Sequence, residues 1–202
     1  MTSREPKQDR SRATRARLLS ATVDCLAELG WGATTVAVVA ERAGVSRGAA
    51  QHHFPVREDL ITAALEVMFE SRTSAASARL TAQAGQGRTE ELVAQLVEYY
   101  VSPLFKAALQ VWTAAAADPA LRERIVPLEA RFGRSVHRLA IEALGVDDSD
   151  PTTHHLVQAT LDLARGLALA DVLHDDSVRR REIAQTWAAT LHAALKMPSL
   201  TD

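Results

Sequence analysis

Apolar residues recur at every third or fourth position along most of this 202-residue chain, a spacing typical of α-helices with one buried face. Glycine, proline and capping residues such as serine and aspartate separate the apolar runs. The pattern predicts an all-α fold of about nine helices. Their expected ranges are residues 12–29, 35–44, 47–54, 57–83, 89–101, 104–117, 119–144, 151–173 and 177–196.

Two short helices near the N-terminus are joined by a tight turn. Thr35 and Ser46 each carry a hydroxyl that is able to cap the helix that follows. Ala-Gly-Val-Ser connects the two helices, and the turn of a helix-turn-helix often contains glycine. The first three helices are therefore predicted to form a compact helix-turn-helix unit. The small core that fixes the crossing of its short helices is predicted to contain Val39, Ala40, Val45 and Phe54.

Composition supports the helical prediction and excludes several classes of protein. The chain has 37 alanines and 24 leucines, which are strong helix formers, and few aromatic residues. Its longest uncharged apolar stretch, residues 107–117, is too short to cross a bilayer, and no apolar segment follows the basic N-terminus as in a secretory signal. The single cysteine, Cys25, lies in an apolar helical stretch and is expected to pack rather than react. A cytoplasmic protein without a membrane segment is expected.

The last two predicted helices carry unusually much apolar surface. Residues 151–173 are apolar nearly all round, and Gly166 permits another backbone to approach closely. Together with residues 177–196 they are expected to form a four-helix bundle with their copies in a second chain. The alternative is that the rest of the same chain covers them.

Residues 35–60, TVAVVAERAGVSRGAAQHHFPVREDL, contain an ordered set of short motifs. The motif residues are Thr35, Val39, Ala40, Ala43, Gly44, Val45, Ser46, Gly48, Ala49, His53, Phe54, Arg57 and Leu60. At this spacing, and so near the N-terminus, the set closely resembles the DNA-binding segment of the TetR family of one-component bacterial transcription regulators. The close resemblance covers about residues 13–65, and beyond it only the layout of further helices is similar.

This resemblance implies two domains and a regulatory function. Residues 1–57 are expected to be the DNA-binding helix-turn-helix domain, with a flexible basic arm at about residues 1–11. Residues 58–202 are expected to form the helical effector-binding and dimerisation domain. The implied protein is a homodimeric repressor that a small molecule releases from its operator, since repression is usual in the family.

The second helix of a helix-turn-helix presents its N-terminal residues to base edges in the major groove. Arg47 is expected to donate two hydrogen bonds to guanine, and Gln51 to pair with adenine. Thr35, His53 and Arg57 suit phosphate contacts, which set the register without reading sequence. The predicted DNA-binding residues are Thr35, Ser46, Arg47, Gly48, Ala49, Gln51, His52, His53, Arg57, Arg12 and Arg15.

At Gln51 the chain departs from the pattern it resembles. The family usually has a tyrosine there that commonly reaches the DNA, and Ala50 replaces a larger apolar residue. The loss of the aromatic ring removes one expected contact, whereas an amide is able to make a more base-selective one. We therefore expect Gln51 to help read the operator sequence.

Charge is distributed unevenly along the chain. The net charge is −2, but residues 1–57 hold nine basic and five acidic side chains, so their net charge is +4 and that of the remainder is −6. Four arginines near the start of the first helix are placed to contact the DNA backbone or minor groove. They are Arg10, Arg12, Arg15 and Arg17. For Arg4 and Lys7 a solvated disordered arm is an equally good interpretation.

Aromatic residues of the larger domain are candidates for an effector pocket, which implies a largely apolar small molecule. The predicted ligand-binding residues are Met68, Phe69, Tyr99, Tyr100, Phe105, Trp112, Phe132 and Arg165. Arg131 and His137 are further candidates for polar anchors. For any single aromatic residue the alternative is an ordinary place in the core.

Two other functions compete with this interpretation. A metal-carboxylate enzyme needs inward-facing Glu-x-x-His pairs, and the chain has none; Asp171-x-x-His174 is its nearest imitation. His154 and His155 begin a helix and are expected to be solvent-exposed rather than metal-bound. No glycine-rich phosphate loop is present, so neither a cofactor nor a metal nor an enzyme activity is expected. An accessory protein that keeps the fold without reading DNA is the third possibility.

Overall fold

A computed structural model describes residues 7–82 and 88–196 of the chain. Over these residues the chain forms nine α-helices and no strand, so the predicted all-α fold is confirmed. The helices are α1 (Lys7–Ala33), α2 (Val36–Arg42), α3 (Arg47–His53), α4 (Arg57–Ala82), α5 (Arg88–Tyr100), α6 (Pro103–Ala117), α7 (Pro119–Leu144), α8 (Pro151–Ala170) and α9 (Ser177–Lys196). None of those described is both long enough and apolar enough to cross a membrane.

The first helix differs from its predicted range at both ends. It begins at Lys7, so residues 7–11 of the predicted flexible arm are helical, while residues 1–6 lie outside the described part. Gly30 interrupts α1 as predicted, with φ 79° and ψ 177°, a backbone conformation that favours glycine. One further turn follows it, to Ala33. The predicted break at Gly85 and Gly87 falls outside the described residues.

The predicted eighth helix extends too far, because α8 ends at Ala170 rather than at residue 173. Asp171 ends the helix by drawing the following chain into a turn. Its Oδ1 accepts a hydrogen bond from the backbone N–H of Asp176 at 3.3 Å and another from the guanidinium of Arg180. An ion pair between residues nine positions apart thus accompanies the turn at residues 171–173.

The first compact unit comprises Met1–Ser71 and Pro103–Glu129. Within it α1 packs against α6, α2 and α3, and the buried side chains include Leu18, Leu26, Val39 and Phe54. One expectation about its core is wrong, because Val45 is only half-buried. Ala50, for which no prediction was made from the sequence, is fully buried.

The second compact unit comprises Arg72–Ser102 and Ala130–Asp202. Here α5 packs against both α8 and α9. The indole N–H of Trp187 donates to Thr160 Oγ1 at 2.9 Å and joins α9 to α8, while Thr89 Oγ1 lies 3.3 Å from His192 Nδ1 and joins α5 to α9. The predicted functional division at residue 57 stays a prediction, because these units are defined by packing alone.

Candidate nucleic-acid interface

The predicted caps position the two short helices. Thr35 Oγ1 accepts a hydrogen bond from the N–H of Val38, and Ser46 Oγ accepts one from the N–H of Ala49, both at 3.2 Å. Gly44 has φ 61° in the turn between the helices, where a side chain would be strained. These local interactions fix where α3 begins and the direction in which it leaves the turn.

The predicted reading surface of α3 faces solvent. Ser46, Arg47, Gly48, Gln51 and His52 are exposed, and Ala49 and His53 are half-buried. The helix is anchored from its opposite side, because Ala50 and Phe54 are buried. At Gly48 an added Cβ would meet no heavy atom within 4 Å, so packing within the chain does not demand glycine there. The face is thus available to a partner at close range.

Two predicted basic contacts come from α1. Arg12 and Arg15 are both exposed, and the guanidinium carbon of Arg15 lies 5.5 Å from the centroid of the Phe54 ring. Because Phe54 follows α3 directly, this cation–π contact places a positive charge beside the end of α3. The first unit therefore combines basic side chains from α1 with the exposed face of α3.

Arg57 has an internal role that the sequence did not indicate. Its Nε donates to the carbonyl of Thr34 at 2.6 Å, and its Nη2 donates to the carbonyl of Trp31. Its guanidinium carbon also lies 4.1 Å from the centroid of the Trp31 ring. Arg57 therefore ties the first turn of α4 to the segment between the Gly30 break and α2. The predicted phosphate contact of Arg57 stays a prediction beside this role.

Four of the predicted ligand-binding residues belong to the first unit. Met68 is half-buried and Phe69 is buried on α4. On α6 the rings of Phe105 and Trp112 meet edge to face with centroids 5.8 Å apart.

The other four belong to the second unit. Tyr99 and Tyr100 pack edge to face at 5.4 Å, and Arg165 donates from Nε to the Tyr100 hydroxyl at 3.2 Å. Phe132 is buried, with the guanidinium of the exposed Arg131 5.6 Å from its ring centroid. The proximity of Arg165 to the tyrosines joins three of the eight predicted residues into one group.

A cavity of about 600 Å³ lies in the second unit between α4 and α5. Tyr99 is the predicted residue that lines it, and burial raises the pKa of this phenol to about 12. The other lining residues are three alanines, four charged residues and one glutamine, none of them among the predicted ligand-binding residues. They are Arg72, Ala75, Ala76, Arg79, Glu91, Ala94, Gln95 and Glu98.

Two histidines of α7 and α8, His137 and His154, meet in an arrangement that the sequence did not indicate, whereas His155 is exposed as predicted. His137 is buried, and its Nε2 lies 2.8 Å from Asp148 Oδ1. His154, expected to be solvent-exposed, is half-buried and lies 3.0 Å from the same oxygen through Nδ1. The loop that carries Asp148 folds back over α7 and α8, and this contact was not visible in the sequence.

Comparison with known proteins finds similarity to bacterial regulators. Residues 18–64 match the family model of bacterial regulatory proteins of the tetR family. The HTH-type transcriptional regulator CymR of Pseudomonas putida is 33% identical over 123 residues, which cover 60% of this chain and 61% of CymR. The chain thus matches less than two thirds of that relative's length.

Solved structures share the fold over nearly the whole chain. A transcriptional regulator from Rhodococcus sp. Rha1 has a TM-score of 0.71 at 20% identity, covering 92% of this chain and 99% of its own. The multidrug binding protein EbrR, solved with imidazole, has a TM-score of 0.61 at 25% identity, covering 93% and 98%. The matched segment, residues 18–64, spans the helix-turn-helix, so this part of the chain is similar to the bacterial regulatory proteins of the tetR family.

Proposed function

We propose that this chain is a ligand-responsive, DNA-binding transcriptional regulator, and most specifically a repressor that a small molecule releases from its operator. The observation that carries the proposal is the exposed face of α3, where Arg47, Gly48 and Gln51 stand on a helix anchored by buried Ala50. Such a helix presents its first residues to base edges in the major groove. The relatives that match the chain are transcriptional regulators, so we propose no catalytic role and a cytoplasmic location.

In this proposal Arg47 and Gln51 read the sequence, whereas other residues set the register. Arg47 donates two hydrogen bonds to a guanine, and the amide of Gln51 pairs with an adenine. Exposed Arg12 and Arg15 on α1 contact phosphates, which carry no sequence information. The remaining DNA-facing residues of the proposal are Thr35, Ser46, Gly48, Ala49, His52, His53 and Arg57.

The experiment that tests DNA reading begins with genome-wide mapping of the bound DNA. The operator found in this way is titrated, alongside a scrambled duplex, with the wild type and with Arg47→Ala and Gln51→Ala. We expect Arg47→Ala to lose about 1–3 kcal/mol of specific binding and to relax the preference at one base pair. Exposed Arg134 on α7 gives the matched control, since Arg134→Ala removes the same side chain away from this face.

Two results would oppose the proposal. If mapping finds no specific operator, the chain keeps the fold without reading DNA. If Gln51→Ala changes neither the affinity nor the operator preference, the base-reading role of Gln51 is wrong.

We propose a homodimer formed through the last two helices, residues 151–173 and 177–196. Leu169 is 57% exposed and Leu173 is 90% exposed, and an added Cβ on Gly166 would meet no heavy atom within 4 Å. A second copy covering this surface would bury these leucines and use the space at Gly166. Leu169→Glu should shift the protein toward monomer in analytical ultracentrifugation. Val126→Glu is the matched control, since Val126 is also 57% exposed but lies on α7.

The proposed effector site is the cavity beside Tyr99, together with the Tyr99–Tyr100–Arg165 group. EbrR is a multidrug binding protein with a similar fold, which supports the proposal that this chain binds a small molecule but does not indicate which one. Because Arg72, Arg79, Glu91 and Glu98 line the cavity, an effector bound there combines polar groups with its apolar part. Candidate molecules are screened for release of the mapped operator, and Tyr99→Phe should raise the concentration needed for release.

A further inference from the structure

Three side chains that commonly ligate metals meet where α7, the loop after it and α8 come together in the second unit. His137 Nε2 and His154 Nδ1 lie 2.8 Å and 3.0 Å from Asp148 Oδ1. All three ligand atoms lie within 4.8 Å of one another, and the two imidazole centroids are 4.7 Å apart. One ion placed among them is within reach of all three.

The most buried member of the cluster is oriented by a neighbour. The side chain of His137 is only 11% exposed, and its Nδ1 lies 3.1 Å from the side-chain amide of Gln158. Histidines that bind metals generally hold their second ring nitrogen in such a hydrogen bond, which fixes the tautomer and the ring orientation. When the Gln158 amide is rotated, its oxygen accepts a hydrogen bond from a protonated Nδ1 of His137. The Nε2 atom of His137 is then unprotonated and able to bind the ion.

Asp148 is the loop carboxylate that faces the imidazoles. The neighbouring carboxylates serve the turn, because Asp147 accepts hydrogen bonds from Ser149, and Asp150 accepts the N–H and hydroxyl of Thr153. Asp148 Oδ1 instead lies within hydrogen-bond distance of both imidazoles, at 2.8 Å from His137 Nε2 and 3.0 Å from His154 Nδ1.

We propose that His137, Asp148 and His154 form a binding site for a divalent transition metal ion of the zinc type. Two imidazoles and one carboxylate suit Zn²⁺ rather than Mg²⁺ or Ca²⁺, and three protein ligands leave a fourth position for water. The half-exposed His154 and Asp148, 42% and 45% exposed, leave that position open to solvent. Tetrahedral zinc donors lie about 3.3 Å apart. Asp148 Oδ1 therefore needs to withdraw by about 0.5 Å from His137 Nε2, and the two imidazole nitrogens, now within 4.8 Å of each other, need to adjust to the same spacing.

The bound ion links α7, the loop and α8 by bonds that replace the hydrogen bonds to Asp148. It therefore stabilises the folded second unit, because a ligand that binds only the folded state raises stability with its concentration. This site is independent of the proposed DNA-binding function. The sequence rule that seeks Glu-x-x-His pairs does not detect it, since its donors come from two helices and a loop.

The test uses the full chain, free of any polyhistidine tag, treated with EDTA and exchanged into chelator-free buffer. Zn²⁺ is titrated by calorimetry, with Mg²⁺ as the negative control, and Co²⁺ absorption near 500–650 nm reports tetrahedral coordination by about three protein ligands. We expect one Zn²⁺ per chain, and a Tm raised by about 5 °C when free Zn²⁺ is about a hundredfold above Kd. Asp148→Asn and His154→Gln should each weaken binding at least tenfold, and EDTA should reverse the Tm shift.

His155→Gln is the matched control, because His155 is an exposed histidine adjacent to His154 but outside the cluster. It should bind Zn²⁺ as tightly as the wild type. The proposal is overturned if the wild type binds no Zn²⁺ at about 100 μM free ion, if Asp148→Asn and His154→Gln bind like the wild type, or if His155→Gln loses the ion equally.

Discussion

Arg57 gives the sharpest test of how the helix-turn-helix is held to the rest of its unit. Its guanidinium donates to the carbonyls of Thr34 and Trp31 and lies 4.1 Å from the Trp31 ring centroid. These carbonyls follow the break at Gly30, and carbonyls at the end of a helix have no backbone N–H partner within that helix. Arg57→Ala removes all three interactions at once, whereas Arg57→Lys keeps the positive charge but lacks the planar guanidinium group with its several N–H donors.

The structure sets the size of the effect. A hydrogen bond from a charged donor contributes about 1.5–3 kcal/mol, and a half-exposed cation–π contact adds about 0.5–1 kcal/mol. Because Arg57 is half-buried, water replaces part of what is lost, and the interactions are not additive. We expect Arg57→Ala to lower the free energy of unfolding by about 2–3 kcal/mol, and Arg57→Lys by about half as much.

Urea denaturation at one protein concentration measures this change, since the proposed dimerisation would make stability depend on concentration. Arg124→Ala is the control, because Arg124 pairs with Asp59 at 2.6 Å with both side chains about half exposed. Such a pair contributes less than about 1 kcal/mol. The free energy of unfolding of Arg57→Ala is compared with that of the wild type. If the two differ by no more than about 0.5 kcal/mol, as expected for the control, the proposed structural role of Arg57 is wrong.

The salt dependence of operator binding distinguishes the internal hydrogen bonds of Arg57 from its predicted phosphate contact. Loss of a phosphate contact lowers the slope of log affinity against log salt by about one, whereas loss of the internal hydrogen bonds leaves that slope unchanged. Arg57→Ala therefore reports both roles in independent readouts.

Three further changes test the fold. Gly30→Ala should cost about 1–3 kcal/mol in urea denaturation, because φ is 79° and the new Cβ would lie 3.1 Å from Gln110 Oε1; an unchanged midpoint would contradict this. Thr160→Val should cost about 1–2 kcal/mol by removing the acceptor of the Trp187 indole N–H, and a neutral result would show that water replaces it. Burial raises the pKa of Tyr99 to about 12, so its contribution to stability is present below the unfolded pKa of about 10 and is lost as pH rises to 12. Tyr99→Phe should remove that part of the pH dependence, and an identical slope above pH 10 in both proteins would refute the assignment.

The features predicted well from the sequence depend on residues close together in the chain. Thr35 and Ser46 cap helices through N–H groups three residues away, and Gly30 interrupts α1 by its own backbone conformation. Each of these interactions is complete within one turn of helix, so the sequence contains all the partners. The first residues of α2 and α3 follow from these caps, and the start of α3 in turn determines which of its residues are exposed.

The features that were missed depend on partners far along the chain. Arg57 reaches carbonyls 23 and 26 residues away, and a carbonyl carries no mark in the sequence. Arg180, nine residues beyond Asp171, helps end α8 early. His137 and His154 are 17 residues apart and meet only because the loop brings Asp148 between them. Spacing rules for metal sites assume regular elements, and this cluster includes a loop residue.

Three exposed glycines, Gly32, Gly48 and Gly166, lie within helices, and an added Cβ at any of them would meet no heavy atom of the chain within 4 Å. Glycine inside a helix such as α8 costs about 0.5–1 kcal/mol relative to alanine, so folding alone favours alanine at Gly166. Gly30 and Gly44 differ, because their positive φ values require glycine. Gly48 and Gly166 lie on the surfaces proposed for DNA and for the second copy, where the close approach of a partner would favour glycine; Gly32 belongs to neither proposed surface.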